Sequence, residues 1–334
     1  MNSVVIIAEA GVNHNGDMTL AKELIGKAKF INADYVKFQS FVTEENISSK
    51  APKAEYQLQT TESSETQFEM LKKLELSLDQ TKELKLYADE LGIGFLTTPA
   101  EKQNVKLVAD LDLDYIKIAS ESITNYLLLS EVAKLNQNTI LSTGMSNLEE
   151  IERAIAALRK NGLDENKLTL LHCNSEYPSP FEDLNLNAIE TMRDYFKIDV
   201  GLSDHSEGFE ASLASVALGV TIIEKHFTLD NALEGPDHSS SLNPKDFKSL
   251  IEMIRNVERA LGSGIKKPSE SESKNIKFMR RSLVARNKIK KGEVFSTENI
   301  AAKRPADGMS PMEWEEIEGK VSDRDYAIDD LIQK

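Results

Sequence analysis

The chain has 334 residues, 40% of them hydrophobic, a net charge of −15 and one cysteine. That length holds a large α/β unit plus a smaller module, with apolar content ample for a globular core. The acidic balance excludes a phosphate-backbone binder, which needs clustered Lys and Arg, but leaves room for a small anion in a locally positive cleft. Cys173 alone supplies neither a disulfide framework nor a CxxC site. The start MNSVVIIAEAG is too short, and too poor in basic residues, for a signal peptide, and no apolar run approaches a membrane span. These features predict a cytoplasmic protein with no nucleic-acid or membrane partner.

In chain order, eight short β-branched runs alternate with amphipathic stretches. The runs are VVIIAEAG (4–11), DYVKFQS (34–40), IGFLTTP (93–99), DYIKIAS (114–120), TILSTGM (139–145), LTLLHCN (168–174), IDVGLSD (198–204) and VTIIEKHF (220–227). Between them LAKELIGKAKFI, LDQTKELKLYADELG, LEEIERAIAALRKNG and GFEASLASVALG carry helical periodicity, and PKDFKSLIEMIRNVERALGSG closes the set. Eight such units predict a (β/α)8 TIM barrel over 1–264, with its reactive face at the C-terminal strand ends. Residues 41–76 form a long connection with the polar centre TTESSET, as expected of a lid or binding element. The run GSGIKKPSESESKN (262–275) predicts a linker, placed over 265–280, and 281–334 predicts a small module of short strands and turns.

Every run ends in polar residues: Glu9; Lys37 and Gln39; Thr97 and Thr98; Lys117 and Ser120; Ser142 and Thr143; His172 and Ser175; Asp204 and His205; Glu224, Lys225 and His226. Eight strands ending this way predict a polar ring at one mouth. His205 and His226 end adjacent strands, which lie about 4.8 Å apart. Two imidazoles without a thiolate suit a catalytic divalent ion with open positions, and manganese, zinc and iron all fit. Lys37 and Lys117, with Thr98, Ser120, Ser142 and Ser203, predict a pocket for a phosphate ester or carboxylate. Lys225 either bonds a carboxylate in the wall or faces the outer layer. Glu9 is the candidate general base or proton relay.

The motifs AEAGVNHNGD, VKFQSF, FLTTP, KIAS, ILSTGM, LLHCNSEYPSP, GLSDHS, IEKHFT, GPDH and KRPADG, in this order, resemble those of the sialic acid synthase family over nearly the whole chain. The resemblance implies a barrel followed by an antifreeze-like (SAF) domain, commonly in a domain-swapped homodimer. It implies condensation of phosphoenolpyruvate with an N-acetylmannosamine-type sugar to a nine-carbon 2-keto acid, with release of phosphate. The family's metal ligands fall on His205 and His226, and its phosphoenolpyruvate contacts on Lys37, Thr98, Lys117, Ser120, Ser142 and Ser203. Its sugar contacts fall on Gln39, Tyr177 and Asp237, with Arg304 reaching the acyl group from the small domain, and its essential glutamate on Glu9. Ser175 replaces the Asn of capsule-type members, and Glu121 and Ser122 stand where those have Gly and Glu. KFQSF with APKAEYQLQTT resembles the branch that includes legionaminic acid synthases, so the product is N-acetylneuraminate or N,N'-diacetyllegionaminate. The expected cofactor is a divalent metal, Mn2+ first, with Mg2+ or Co2+ as alternatives. Another metal-dependent barrel aldolase, or an enzyme joining phosphoenolpyruvate to a sugar phosphate, is the competing reading. The latter needs a further basic cluster that the strand ends lack. An inactive carbohydrate-binding protein is the third.

Overall fold

The computed structural model describes residues 3–53 and 65–333. It divides into two compact units, Met1–Gly262 and Ser263–Lys334. In the first unit eight parallel strands run in the order β3-β2-β1-β8-β7-β6-β5-β4, and contact between β3 and β4 closes the curl into a barrel. The strands are β1 (Val5–Gly11), β2 (Tyr35–Ser40), β3 (Gly94–Pro99), β4 (Ile116–Ile118), β5 (Thr139–Ser142), β6 (Leu168–Cys173), β7 (Asp199–Asp204) and β8 (Ile222–His226). Several end earlier than their apolar runs. After Ile118, for instance, the chain tightens into a 3-10 turn at Ser120–Ser122.

The surrounding helices are α1 (Met18–Phe30), α2 (Thr43–Asn46), α3 (Gln67–Leu74), α4 (Leu78–Leu91), α5 (Lys102–Asp110) and α6 (Tyr126–Leu135). They continue as α7 (Leu148–Lys160), α8 (Ala188–Phe196), α9 (Glu210–Ala217) and α10 (Pro244–Leu261). Local chemistry starts and stops them. Ser77 and Gln80 form a capping box on α4, and Gly92 ends it in the left-handed region at φ 69°. Asn243 caps α10, with Pro244 in its first turn. No helix of the described residues is long and apolar enough to cross a membrane. The centre of the long 41–76 connection, with most of TTESSET, lies outside the described residues.

The barrel is buried on both faces. Ile6, Ala8, Val36, Phe38, Ile116 and Val200 face the helices in one large apolar cluster. Ile7, Leu96, Ile140, Leu171 and Ile222 form a separate cluster inside the barrel, with Tyr35 and Tyr115 against it. Gly201 belongs to the same layer, since a Cβ there would come 2.5 Å from the Leu171 side chain. Successive strand residues point to opposite faces, so the residue two positions on from each floor residue also faces the lumen. Those residues are Glu9, Lys37, Thr98, Lys117, Ser142, Cys173, Ser203 and Glu224, one per strand. An apolar floor thus carries a polar layer.

The same alternation corrects the sequence expectation that all polar strand-end residues share one mouth. Thr97, Thr143, His172, Asp204 and Lys225 are one residue out of phase and bond within the wall. Thr97 Oγ1 meets Ser40 Oγ at 2.7 Å, Thr143 Oγ1 donates to the Leu171 carbonyl at 2.9 Å, and His172 Nε2 lies 2.7 Å from the Leu184 carbonyl. Lys225 fills both roles open to it, pointing to the outer layer and bonding a carboxylate there, with its Nζ 2.9 Å from Asp204.

The second unit differs from expectation at its start. The run expected as linker contains helix α11 (Glu270–Met279), opened by a Ser269–Glu272 capping box. That Ser-x-x-Glu signature outweighs the polar composition. Beyond it β9 (Ser282–Ala285) and β10 (Ile300–Lys303) pair antiparallel over a small core of Leu283, Ile289, Phe295, Ile300 and Tyr326.

Candidate active site

Charge in the lumen is arranged across four strands. Lys37 lies 2.9 Å from Glu9 and donates to Thr98 Oγ1 at 2.7 Å. Glu224 lies between the lysines, 3.3 Å from Lys117 and 3.8 Å from Lys37, and accepts from Ser203 Oγ at 3.0 Å. Burial opposes ionisation of Glu224, but Lys117 and Lys37 outweigh it and hold its carboxyl down at about 2. Burial pushes the Glu9 carboxyl up, against the pull of Lys37 and with the push of Glu224. Burial also works against the Lys37 ammonium, yet Glu224 and Glu9 raise its affinity for the proton. Two buried lysines therefore share two carboxylates, of which Glu224 is held firmly ionised, and a stronger anion can compete for the same lysines.

Hydroxyls and main chain complete this side. Ser142 Oγ is buried and has no hydrogen-bond partner among the described residues. Ser120 Oγ accepts from the Gly144 N–H at 3.0 Å. A Cβ on Gly144 would come within 2.3 Å of Ser175 Oγ and 2.8 Å of Ser120 Oγ, so glycine is what lets these hydroxyls converge. Gln39 donates to Glu9 at 3.3 Å, at the edge of the same layer.

The two histidines stand at the ends of β7 and β8, beyond Ser203 and Glu224, with ring centroids 5.3 Å apart. His205 Nδ1 is 2.6 Å from the Asn174 carbonyl, which only accepts, so Nδ1 carries a proton and Nε2 is the nitrogen turned to other partners; burial works against the ring's charge, but Cys173, Asn174 and Glu224 raise its proton affinity. His226 is held in its neutral form, well below the usual imidazole range, by burial and then by the neighbouring His205. Its Nδ1 is buried without a hydrogen-bond partner among the described residues. An orphaned imidazole nitrogen on a ring beside a second imidazole fits a divalent cation. Among the described residues no group of three or more His, Cys, Asp or Glu side chains forms a ligand set. Tyr177 stacks on His205 at 4.1 Å and meets His226 edge-on at 5.3 Å. Asp237 Oδ2 lies 3.7 Å from His226 Nδ1, and burial pushes its carboxyl up to about 7, with Glu9 adding to the rise.

Thus Glu9, Lys37, Gln39, Thr98, Lys117, Ser120, Ser142, Ser175, Tyr177, Ser203, His205, His226 and Asp237 all belong to the C-terminal end of the barrel. Arg304 belongs to the second unit, where its Nε donates to the Met279 carbonyl at 3.0 Å. Ser122 is buried, whereas Glu121 beside it is exposed. Sequence reasoning missed Glu224 as the bridge between the lysines, and Cys173, whose Sγ is 3.8 Å from His205 Nδ1. The signal for both was strand phase: each is two residues on from an apolar floor residue.

The NeuB family matches residues 24–266 and the SAF domain residues 280–334. The chain is 53% identical, over the full length of both chains, to the N,N'-diacetyllegionaminic acid synthase of Campylobacter jejuni. It is 43% identical to the enzyme of the same name from Legionella pneumophila, over 94% of this chain and 89% of that one. Among solved structures, the N-acetylneuraminic acid synthetase of Leptospira borgpetersenii, crystallised with citrate, superposes with a TM-score of 0.73 at 34% identity, covering 82% of this chain and 90% of that one. With the polar layer on a barrel floor, the paired histidines and the C-terminal module, these matches establish that the chain belongs to the NeuB family and carries a SAF domain.

Proposed function

We propose that the chain condenses phosphoenolpyruvate with 2,4-diacetamido-2,4,6-trideoxymannose, giving N,N'-diacetyllegionaminate and phosphate. The acceptor rests on the 53% full-length identity to the Campylobacter synthase named for that product. The observation that carries the chemistry is the pair Lys37 and Lys117 around the firmly ionised Glu224, with His205 and His226 at the ends of the two strands that carry Ser203 and Glu224.

The lysines, with Thr98, Ser120, Ser142 and Ser203, bind the phosphate and carboxylate of phosphoenolpyruvate and fix its reacting face. Gln39, Tyr177 and Asp237 orient the open-chain sugar. C3 of phosphoenolpyruvate attacks the sugar aldehyde, a C–C bond forms, and the aldehyde oxygen takes up a proton to become a hydroxyl. Water adds at the cationic C2, and the tetrahedral intermediate expels phosphate by C–O cleavage. Glu9, whose carboxyl is pushed up by burial, takes the proton that the water gives up. His205 and His226 would hold a divalent cation, Mn2+ first and Mg2+ or Co2+ next. Bound there, it supplies Lewis-acid polarisation of the aldehyde.

In this reading the protein is a cytoplasmic homodimer, and the second copy lends Arg304 to the acyl group of the sugar. Incubation with Mn2+, phosphoenolpyruvate and each acceptor, followed by mass spectrometry, tests it. A product one pyruvate unit heavier than the diacetamido sugar supports the assignment. The same adduct on N-acetylmannosamine alone assigns N-acetylneuraminate instead. Turnover that is lost in His205→Ala but kept in Glu9→Gln removes Glu9 from the proton transfer.

A further inference from the structure

One buried ion pair of the barrel lies outside the lumen. Asp204 and Lys225 occupy matched positions in the parallel ladder of β7 and β8, one step beyond the Ser203–Glu224 pair and one step before the two histidines. Their side chains point outward, each 2% exposed, and Lys225 Nζ is 2.9 Å from Asp204 Oδ2. The preceding outward pair on the same strands is Leu202 and Ile223, both in the apolar cluster beneath the helices. Cohesion between wall and helices asks for more apolar residues there, since a buried ion pair is often no more stabilising than apolar residues of similar volume.

The bonds around the pair point to a different role. Asp204 accepts from Ser212 Oγ of α9 at 2.5 Å, from Ser206 Oγ at 2.6 Å and from the Ser206 N–H at 3.0 Å. Lys225 Nζ donates to the Ser206 carbonyl at 2.8 Å. Ser206 is thus held at N–H, hydroxyl and carbonyl, and it follows His205 directly. The His205 carbonyl accepts from the Ser179 N–H at 2.9 Å and its ring is tied to Asn174. Lys225, meanwhile, directly precedes His226. A single ion pair therefore joins the two backbone segments that carry the two imidazoles.

We infer that Asp204 and Lys225, with Ser206 and Ser212, are positioning residues that set the spacing and ring orientation of His205 and His226. This rests on the reading of the histidines as the cation site, and two readouts separate the two claims. The variant Asp204→Leu/Lys225→Met removes both charges, leaving none stranded. Mn2+ affinity is read from the electron paramagnetic resonance signal of the free ion, and thermal unfolding is followed alongside. The His205 tautomer is read from 15N imidazole shifts without metal.

The expected result is a melting temperature at or above that of the parent, with Mn2+ affinity about 10- to 100-fold weaker, and a His205 ring no longer confined to the Nδ1–H tautomer. Parental affinity and parental shifts in this folded variant would overturn the inference. If the parent protein binds no Mn2+, the cation reading fails, and the 15N shifts alone decide the positioning claim: unchanged shifts reject it, a mixed tautomer upholds it. If the double variant does not fold, Ser206→Ala removes one of the clamping bonds while keeping the pair. A several-fold loss of Mn2+ affinity or a change in the His205 shifts then upholds the inference, and parental values of both reject it.

Discussion

Glu224 Oε1 sits 3.3 Å from Lys117 Nζ, and both side chains are almost fully excluded from solvent. Lys37 approaches the other oxygen of the same carboxylate at 3.8 Å. Glu224 thus lies between two buried lysines and favours the charged form of Lys37, leaving both side chains placed to take a more highly charged anion. Replacing it by Gln removes the shared partner of two buried cations. We expect Glu224→Gln to lose about 3–5 kcal/mol of stability, and phosphoenolpyruvate or inorganic phosphate to restore a larger part of its melting temperature than either adds to the parent. Equal ligand shifts in the two proteins would contradict this role.

The same carboxylate sets an acid limit. Its folded-state value of about 2 lies below the ordinary 4.5, so the unfolded chain binds its proton first as pH falls. Stability from Glu224 is complete above about pH 4.5 and is lost as pH falls towards 2. Chemical denaturation across this window should show a shallower loss in Glu224→Gln than in the parent.

Asp237 gives the opposite sign. Its carboxyl titrates at about 7 rather than 3.8 in the folded protein, so the native state keeps a proton that the unfolded chain has released. Native stability falls as pH rises through this range. In chelator-treated protein, Asp237→Asn should match the parent near pH 3 and exceed it near pH 8, by on the order of a few kcal/mol. Identical pH profiles would show that the buried carboxyl is not the source.

Lys117→Met should lower kcat by about 10²- to 10³-fold, the scale of losing one preorganised group that stabilises charge. Lys225→Met, in the wall, should act mainly on stability and cation affinity. Steady-state kinetics at saturating phosphoenolpyruvate, with circular dichroism as a fold control, separates the two lysines. A parental kcat for folded Lys117→Met would remove it from the chemistry.

The close approach at Gly144 offers a steric test. Gly144→Ala places a methyl group 2.3 Å from Ser175 Oγ and 2.8 Å from Ser120 Oγ, a clash that should cost about 1–3 kcal/mol and depress turnover. Ser175→Gly in the same chain removes the nearer atom, and the double variant should melt higher than Gly144→Ala alone. Additive losses would show that the two residues do not meet.

The barrel was legible because β-branched runs such as TIL and TII and the helical periodicity between them are local properties. The histidine and lysine pairs were legible because they fall at strand ends. What the sequence left open was phase. In IIEKH the residues Glu224 and His226 enter the lumen while Lys225 leaves it, and only pairing with β7 and β1 decides which alternate set turns inward. His172 illustrates the same ambiguity, since it ends an apolar run yet binds the Leu184 carbonyl in the wall. Helix α11 was obscured by composition, although its Ser269–Glu272 capping box stood in plain sequence.

The proposed condensation stands or falls on phosphate release from phosphoenolpyruvate, measured with 2,4-diacetamido-2,4,6-trideoxymannose and with N-acetylmannosamine, in Mn2+ and after chelation. The expected result is rapid release with the diacetamido sugar, slower release with N-acetylmannosamine, loss of both on chelation and recovery when Mn2+ is returned. No release with either acceptor in the presence of Mn2+ would contradict it.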